Sequence, residues 1–149
     1  MKLSKSKIIN IKKGQNLKII DPVNIYECKF GDNCFVGPFC EIQKNVKIGN
    51  NTKIQSHSFI CELVKIGNNC VISHGVVFIN DKYEDLKPAN RNKKKWLKTK
   101  ISSNVYIGSN STILPVSICS NVVIGAGSVV TKNITKSGKY AGNPAKKIK

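Results

Sequence analysis

Every sixth residue through the middle of the chain is large and apolar. Phe30, Val36, Ile42, Ile48, Ile54, Ile60, Ile66, Ile72 and Phe78 form an unbroken series, and the phase returns at Ile101, Ile107 and Ile113 and again at Ile118, Ile124 and Val130. A period of six is neither the 3.6 of a helix nor the 2 of a simple strand. A short fixed repeat is the mark of stacked coils, and the hexapeptide period is that of a parallel β-helix. Four residues after each large residue comes a small or β-branched one: Cys34, Cys40, Val46, Thr52, Ser58, Val64, Cys70 and Val76. The even offset points both side chains inward on an extended segment. Glycine follows the large residue at 31, 37, 49, 67, 108 and 125, and asparagine recurs nearby, as in Gly49-Asn50-Asn51. Both residue types tolerate the positive φ of a sharp corner. Each hexad therefore predicts one short strand and one corner, and three hexads close a triangular coil of eighteen residues. Successive coils stack about 4.8 Å apart.

The 149 residues suit one domain. Residues 1–23 fit the repeat poorly and are expected to cap the first coil; 81–100 interrupt it as a polar, basic, protruding loop holding the only tryptophan, Trp96; 135–149 form a tail. The arithmetic gives about five coils. No segment looks like a signal peptide or a membrane span, so a cytoplasmic chain is expected. The six cysteines fall largely in the small inward slot, where a reduced thiol packs as a compact hydrophobe. No Cys-x-x-Cys pair exists and there are only two histidines, which leaves no metal site to propose. A net charge of +17, from 25 basic and 8 acidic residues, attracts polyanions. It comes without the aromatic or helical signatures of nucleic-acid readers, so nucleic acid is not the expected partner.

The hexads, the run Ile124-Gly125-Ala126-Gly127-Ser128-Val129-Val130-Thr131-Lys132 and the tail Ala141-Gly142-Asn143-Pro144-Ala145-Lys146 resemble the hexapeptide-repeat acyltransferases. That resemblance implies an all-β, left-handed parallel β-helix, a homotrimer, and acetyl-CoA as acyl donor. A narrower stretch, Lys53 to Val64, then His74 to Asp81, the basic loop, and Ile113-Leu114-Pro115-Val116, is similar to the nucleotide-sugar N-acetyltransferases acting on dTDP-3-amino-3,6-dideoxyhexoses. It implies an amino-sugar acceptor linked to a nucleotide.

Candidate site residues follow from both lines. Glu62 and Asn80 are eighteen apart, so they occupy one position on consecutive coils beside the loop that starts at Asp81. A carboxylate next to an amide can hold an amine and the group it attacks. His74 is the conventional base candidate, with His57 one coil below; both lie a hexad away from the Glu62–Asn80 position, so they would meet it only across a subunit interface. Asp81 and His57 are candidates for binding the acceptor, and Arg91 or Lys94 of a neighbouring chain for its diphosphate. By resemblance, Gly108, Ser109, Ala126 and Gly127 line the path of acetyl-CoA, and Lys132, Lys146 and Lys147 meet its phosphates. The competing readings are O-acetylation of a sugar or serine hydroxyl with His74 as base, and a basic nucleic-acid-binding or structural prism.

Overall fold

The computed structural model describes residues 6–90 and 92–149. The chain winds as a triangular solenoid of parallel strands, each two to four residues long. The first face stacks Lys7–Ile9, Asn24–Tyr26, Glu41–Ile42, Phe59–Ile60, Val77–Phe78, Thr112–Ile113 and Val129–Val130. The second stacks Lys29–Phe30, Lys47–Ile48, Val64–Ile66, Thr99–Ile101 and Ser117–Ile118, extended downward by a bridge between Lys12 and Lys29. The third begins at Lys18–Ile19, runs through Phe35–Val36, Lys53–Ile54, Val71–Ile72, Val105–Ile107 and Val122–Ile124, and ends at Gly138–Ala141. The first edge joins the first face to the second, the second edge joins second to third, and the third edge returns to the first face.

The six-residue phase is the core. All fifteen large residues named above are buried, none more than 4 % exposed. The i+4 slots lie inside with them, and there the structure adds something that the hydrophobic pattern did not contain. Their small polar groups reach a backbone carbonyl in the coil above. Cys34 Sγ donates to the Gly49 carbonyl at 3.1 Å, Cys40 Sγ to Gln55 at 3.0 Å, Thr52 Oγ1 to Gly67 at 2.9 Å and Ser58 Oγ to Ser73 at 3.0 Å. The slot is thus a rung-to-rung staple, and a thiol or hydroxyl serves where valine only fills. Burial pushes the Cys28 and Cys61 thiols up to about 12, and all six cysteines are free.

Two expectations change. The coils number about seven, not five, because the N-terminal segment is itself coiled: Lys7 pairs with Asn24 and Lys18 with Phe35. These rungs are seventeen residues apart, one short of three hexads. Two sides are one residue short, Ile8 to Lys13 in the first coil and Ile25 to Phe30 in the second, and they put the segment out of phase with the rest. The tail also begins inside the repeat: Gly138–Ala141 pairs with Val122–Ile124, and Lys146–Lys147 then turns back antiparallel to close that sheet.

The division of labour at the corners also differs. Positive φ belongs to the i+3 residue, Asn33, Phe39, Asn45, Asn51, His57, Leu63 and Asn69 among others, and not to the i+1 glycines. Those glycines are required for room. A Cβ at Gly37 would lie 2.7 Å from the Ser56 nitrogen, and one at Gly49 2.7 Å from the Gly67 carbonyl carbon. Between Phe78 and Thr99 the chain leaves the prism at the first edge and returns in register, Val64 pairing with Thr99 across 35 residues instead of 18.

Candidate active site

The first edge carries Glu27, Lys44, Glu62 and Asn80 on successive coils. The Lys44 Nζ lies 2.7 Å from Glu27, and Asn80 Nδ2 donates to the Glu62 backbone carbonyl at 3.3 Å. The eighteen-residue spacing thus brings Glu62 and Asn80 together as expected. What it did not reveal is the partner of the Glu62 carboxylate. Lys93, from the protruding loop of the same chain, places its Nζ 3.1 and 3.0 Å from the two Glu62 oxygens. The Glu62 side chain is 12 % exposed while that of Lys93 is 56 % exposed, so a sheltered carboxylate holds a solvated ammonium. The same Nζ sits 5.4 Å from the centre of the Trp96 ring, a cation–π distance.

Below Glu62 the polar network continues. Gln43 Oε1 accepts from the Glu62 backbone N–H at 3.2 Å, and Gln43 Nε2 donates to Glu41 at 2.9 Å. Tyr26, one coil lower, has its phenol pushed above the ordinary value by burial first and then by the negative charges of Glu41, Glu62 and Glu27. Three of the eight acidic residues of a chain with net charge +17 therefore converge on this edge. Such a local field favours a cationic or amine-bearing group.

The loop above is built by its own side chains. Asp81 accepts from the Tyr83 N–H at 3.0 Å and the Ala89 N–H at 2.8 Å, so both its oxygens help to fold the loop. Asn92 caps a short 3₁₀ turn, Lys93–Lys95, by accepting from the Lys94 N–H at 3.2 Å. Lys95 pairs with Asp85 at 2.7 Å, and the Leu97 N–H donates to the Asn80 carbonyl at 2.9 Å, closing the base. Lys94 is exposed and lines a small cavity of about 190 Å³ with Asp81, Glu84 and Lys87. Arg91 lies outside the described residues.

The histidines and the glycine-rich candidates sit on the third edge, across the first face from Glu62. His57 stacks on Phe39 with ring centres 4.8 Å apart. His74 Nδ1 lies 2.8 Å from Ser56 Oγ, which orients the ring. Above them on the same edge come Gly108, Ser109, Ala126 and Gly127, knit by Gly127 N–H donating to the Ser109 carbonyl at 2.8 Å. Lys146 and Lys147 cap the adjoining third face. Lys132 follows Val129–Val130, on the first-edge side, away from that group. One chain thus holds two separate clusters, the carboxylate–amide pair on the first edge and the histidine–glycine column on the third. Sequence reasoning missed Lys93, Gln43, Glu41 and Ser56. The eighteen-residue arithmetic that paired Glu62 with Asn80 also pairs Ser56 with His74 and was the signal available for it.

Residues 27–62 match the family described as bacterial transferase hexapeptide (six repeats), and residues 98–132 match the hexapeptide repeat of succinyl-transferase. Both stretches carry the hexapeptide repeats of bacterial transferases. Among curated relatives it is 32% identical over 150 residues to the bifunctional protein GlmU of Streptococcus uberis, covering 95% of this chain and 32% of that protein. It spans about a third or less of the length of the curated relatives it matches. Among solved structures, a single-substitution mutant of AntD, an N-acyltransferase from Bacillus cereus in complex with dTDP and coenzyme A, superposes with a TM-score of 0.76 at 27% identity, over 91% of this chain and 84% of that one. AntD in complex with dTDP and 3-hydroxybutyryl-CoA gives a TM-score of 0.70 at 25% identity, over 95% and 82%.

Proposed function

We propose that this hexapeptide-family acyltransferase moves an acetyl group from acetyl-CoA to the amine of a nucleotide-linked amino sugar, with a dTDP-3-amino-3,6-dideoxyhexose as acceptor. The observation that carries the reading is the Glu62 carboxylate, sheltered beneath the loop and already gripping a primary ammonium with both oxygens. A sugar ammonium has the same head group. The likeness to AntD, solved with dTDP and coenzyme A, supports the nucleotide and the acyl donor.

In this mechanism Glu62 receives the sugar amine in place of Lys93 and orients it. Asn80, whose Nδ2 is committed to the Glu62 carbonyl, offers its Oδ1 to the amine or to a neighbouring hydroxyl. The neutral amine attacks the thioester carbonyl carbon, a tetrahedral oxyanion forms, and the C–S bond breaks. The ammonium gives one proton to Glu62 before the attack, and the second leaves with the departing thiolate as the thiol. Rate comes from holding both substrates in attack geometry. Acetyl-CoA lies along the third edge of a neighbouring copy, against Gly108, Ser109, Ala126 and Gly127, with Lys146 and Lys147 toward its phosphates; this requires a cyclic homotrimer, which brings a first edge to the third edge of the next copy. Lys94 of a neighbouring copy, with Arg91 as the other candidate of the loop, supplies positive charge for the nucleotide diphosphate.

The test is mass spectrometry after incubation with dTDP-3-amino-sugars and either acetyl-CoA or 3-hydroxybutyryl-CoA. Gain of one acetyl group on the amine is expected; gain of the longer acyl group would revise the donor, and no gain with either rejects the reading. The Ser56–His74 hydrogen bond favours a second reading, O-acetylation with His74 as base. In that case His74→Ala abolishes activity on a hydroxyl acceptor, whereas N-transfer tolerates it.

A further inference from the structure

The outward residues of the three faces are sorted by charge. On the first face they run Lys7, Asn24, Glu41, Phe59, Val77, Thr112, Val129. On the third they run Lys18, Phe35, Lys53, Val71, Tyr106, Val123, Lys139. On the second they run Lys12, Lys29, Lys47, Lys65, Lys100, Ser117. Five of seven rungs of the second face are lysine, the Ile118–Ile134 bridge adding Asn133 above Ser117, against three of seven and one of seven. A chain merely rich in lysine would spread it over all three.

The arrangement is unfavourable by itself. Like charges directly opposite on neighbouring strands repel, and here they repeat at the strand spacing of about 4.8 Å. None of the five lysines has a salt-bridge partner among the described residues. The acidic groups that border the face are otherwise engaged: Glu27 is bound by Lys44 at 2.7 Å, Glu62 by Lys93 at 3.0 Å, and Asp32, on the second edge, accepts from the Gln15 N–H at 2.7 Å. All five lysines are exposed. Three open grooves of about 520, 420 and 390 Å³ share Lys29, Lys47 and Lys65 among their walls, and Lys98 joins one of them.

We propose that the second face docks a linear, carboxylated polysaccharide, which lies along the lysine row parallel to the prism axis. The row is one residue wide and five rungs long, flanked by the column Gly31, Gly49 and Gly67 on one side and by Cys28, Val46 and Val64 on the other. That shape suits a line of charge, not a disc, which disfavours a lipid surface. Its outward residues hold no aromatic ring on which bases could stack, which disfavours single-stranded nucleic acid. A polymer of acidic sugars carries one carboxylate per ring at a repeat close to the rung spacing, and its hydroxyls need no apolar platform. Its like charge opposes an isologous contact between two such faces. The inference does not depend on which acyl acceptor the first edge takes.

The experiment titrates the full chain with a sized, fluorescent oligomer of polygalacturonate at several salt concentrations. It compares Lys29→Gln/Lys47→Gln/Lys65→Gln with the charge-matched Lys18→Gln/Lys53→Gln/Lys139→Gln on the third face. The second-face triple is expected to weaken binding about tenfold or more and to flatten its salt dependence, while the control changes it by about threefold or less. Melting curves check that both triples fold, and the second-face triple is expected to melt no lower than the parent because repulsion is relieved. Equal losses in the two triples, no binding of the oligomer by the parent, tighter binding of an oligothymidylate, or full competition by coenzyme A would each overturn the proposal.

Discussion

Along the second edge, rung after rung carries the same residue: Asn16, Asn33, Asn51, Asn69, Asn104 and Asn121, each at a φ between 54° and 62°. Their side chains bond one another up the stack, Asn16 to Asn33 at 2.9 Å, and Asn33 to Asn51, Asn51 to Asn69 and Asn104 to Asn121 at 3.2 Å. Along the first edge no two successive rungs match. Glu27, Lys44, Glu62 and Asn80 follow in turn, and then the loop departs. Both edges solve the same geometric problem, a tight corner at every coil. Where the solution repeats, the side chains serve the stack; where each rung differs, they are free for a ligand, and the candidate chemistry collects there.

Substitutions can break this contrast. The largest effect is expected from Gly49→Val, because the new side chain meets the Gly67 backbone of the next coil and not a movable side chain. A loss of about 3 kcal/mol is expected, read as a lowered denaturation midpoint, with catalysis per folded molecule unchanged. Glu62→Ala should do the opposite. It lowers kcat/KM for the amino-sugar acceptor about a hundredfold and leaves the melting temperature nearly in place, since the freed Lys93 is already more than half exposed.

Asn51→Ala comes next. An L-residue held in the left-handed region costs about 1 kcal/mol, and Asn51→Gly is expected to recover most of it; chemical denaturation of both variants measures the difference. The smallest effect is expected from Lys93→Met. If Lys93 merely holds the seat of the incoming ammonium, removing it lowers KM for the amino sugar about threefold, the scale of a half-exposed ion pair. A raised KM would instead make Lys93 part of the acceptor's own contacts.

The period of six disclosed the architecture because it is a property of inward-facing residues alone: each rung must fill the same triangular space, whatever decorates its outside. The same arithmetic foretold that Glu62 and Asn80 touch. It failed where the count slips. Five-residue sides from Ile8 to Lys13 and from Ile25 to Phe30 each remove one position from their coil, so the first turns read as irregular when they are regular in space. It also misassigned the corner glycines, since a need for room and a need for positive φ select the same residue and leave one identical letter. The grip of Lys93 on Glu62 was illegible for a different reason. Residues 79–98 carry no repeat, and their course is set by local bonds such as those of Asp81 to the Tyr83 and Ala89 N–H groups.

The excursion between Phe78 and Thr99 leaves the rungs below and above it aligned, closed at its base by one hydrogen bond from Leu97 to Asn80. It can therefore be regarded as a detachable module clipped to a rigid mast. Exchanging it for a segment of another length or charge would alter what Glu62 meets without asking the rest of the chain to refold, so diversification of acceptor choice can proceed at that single junction.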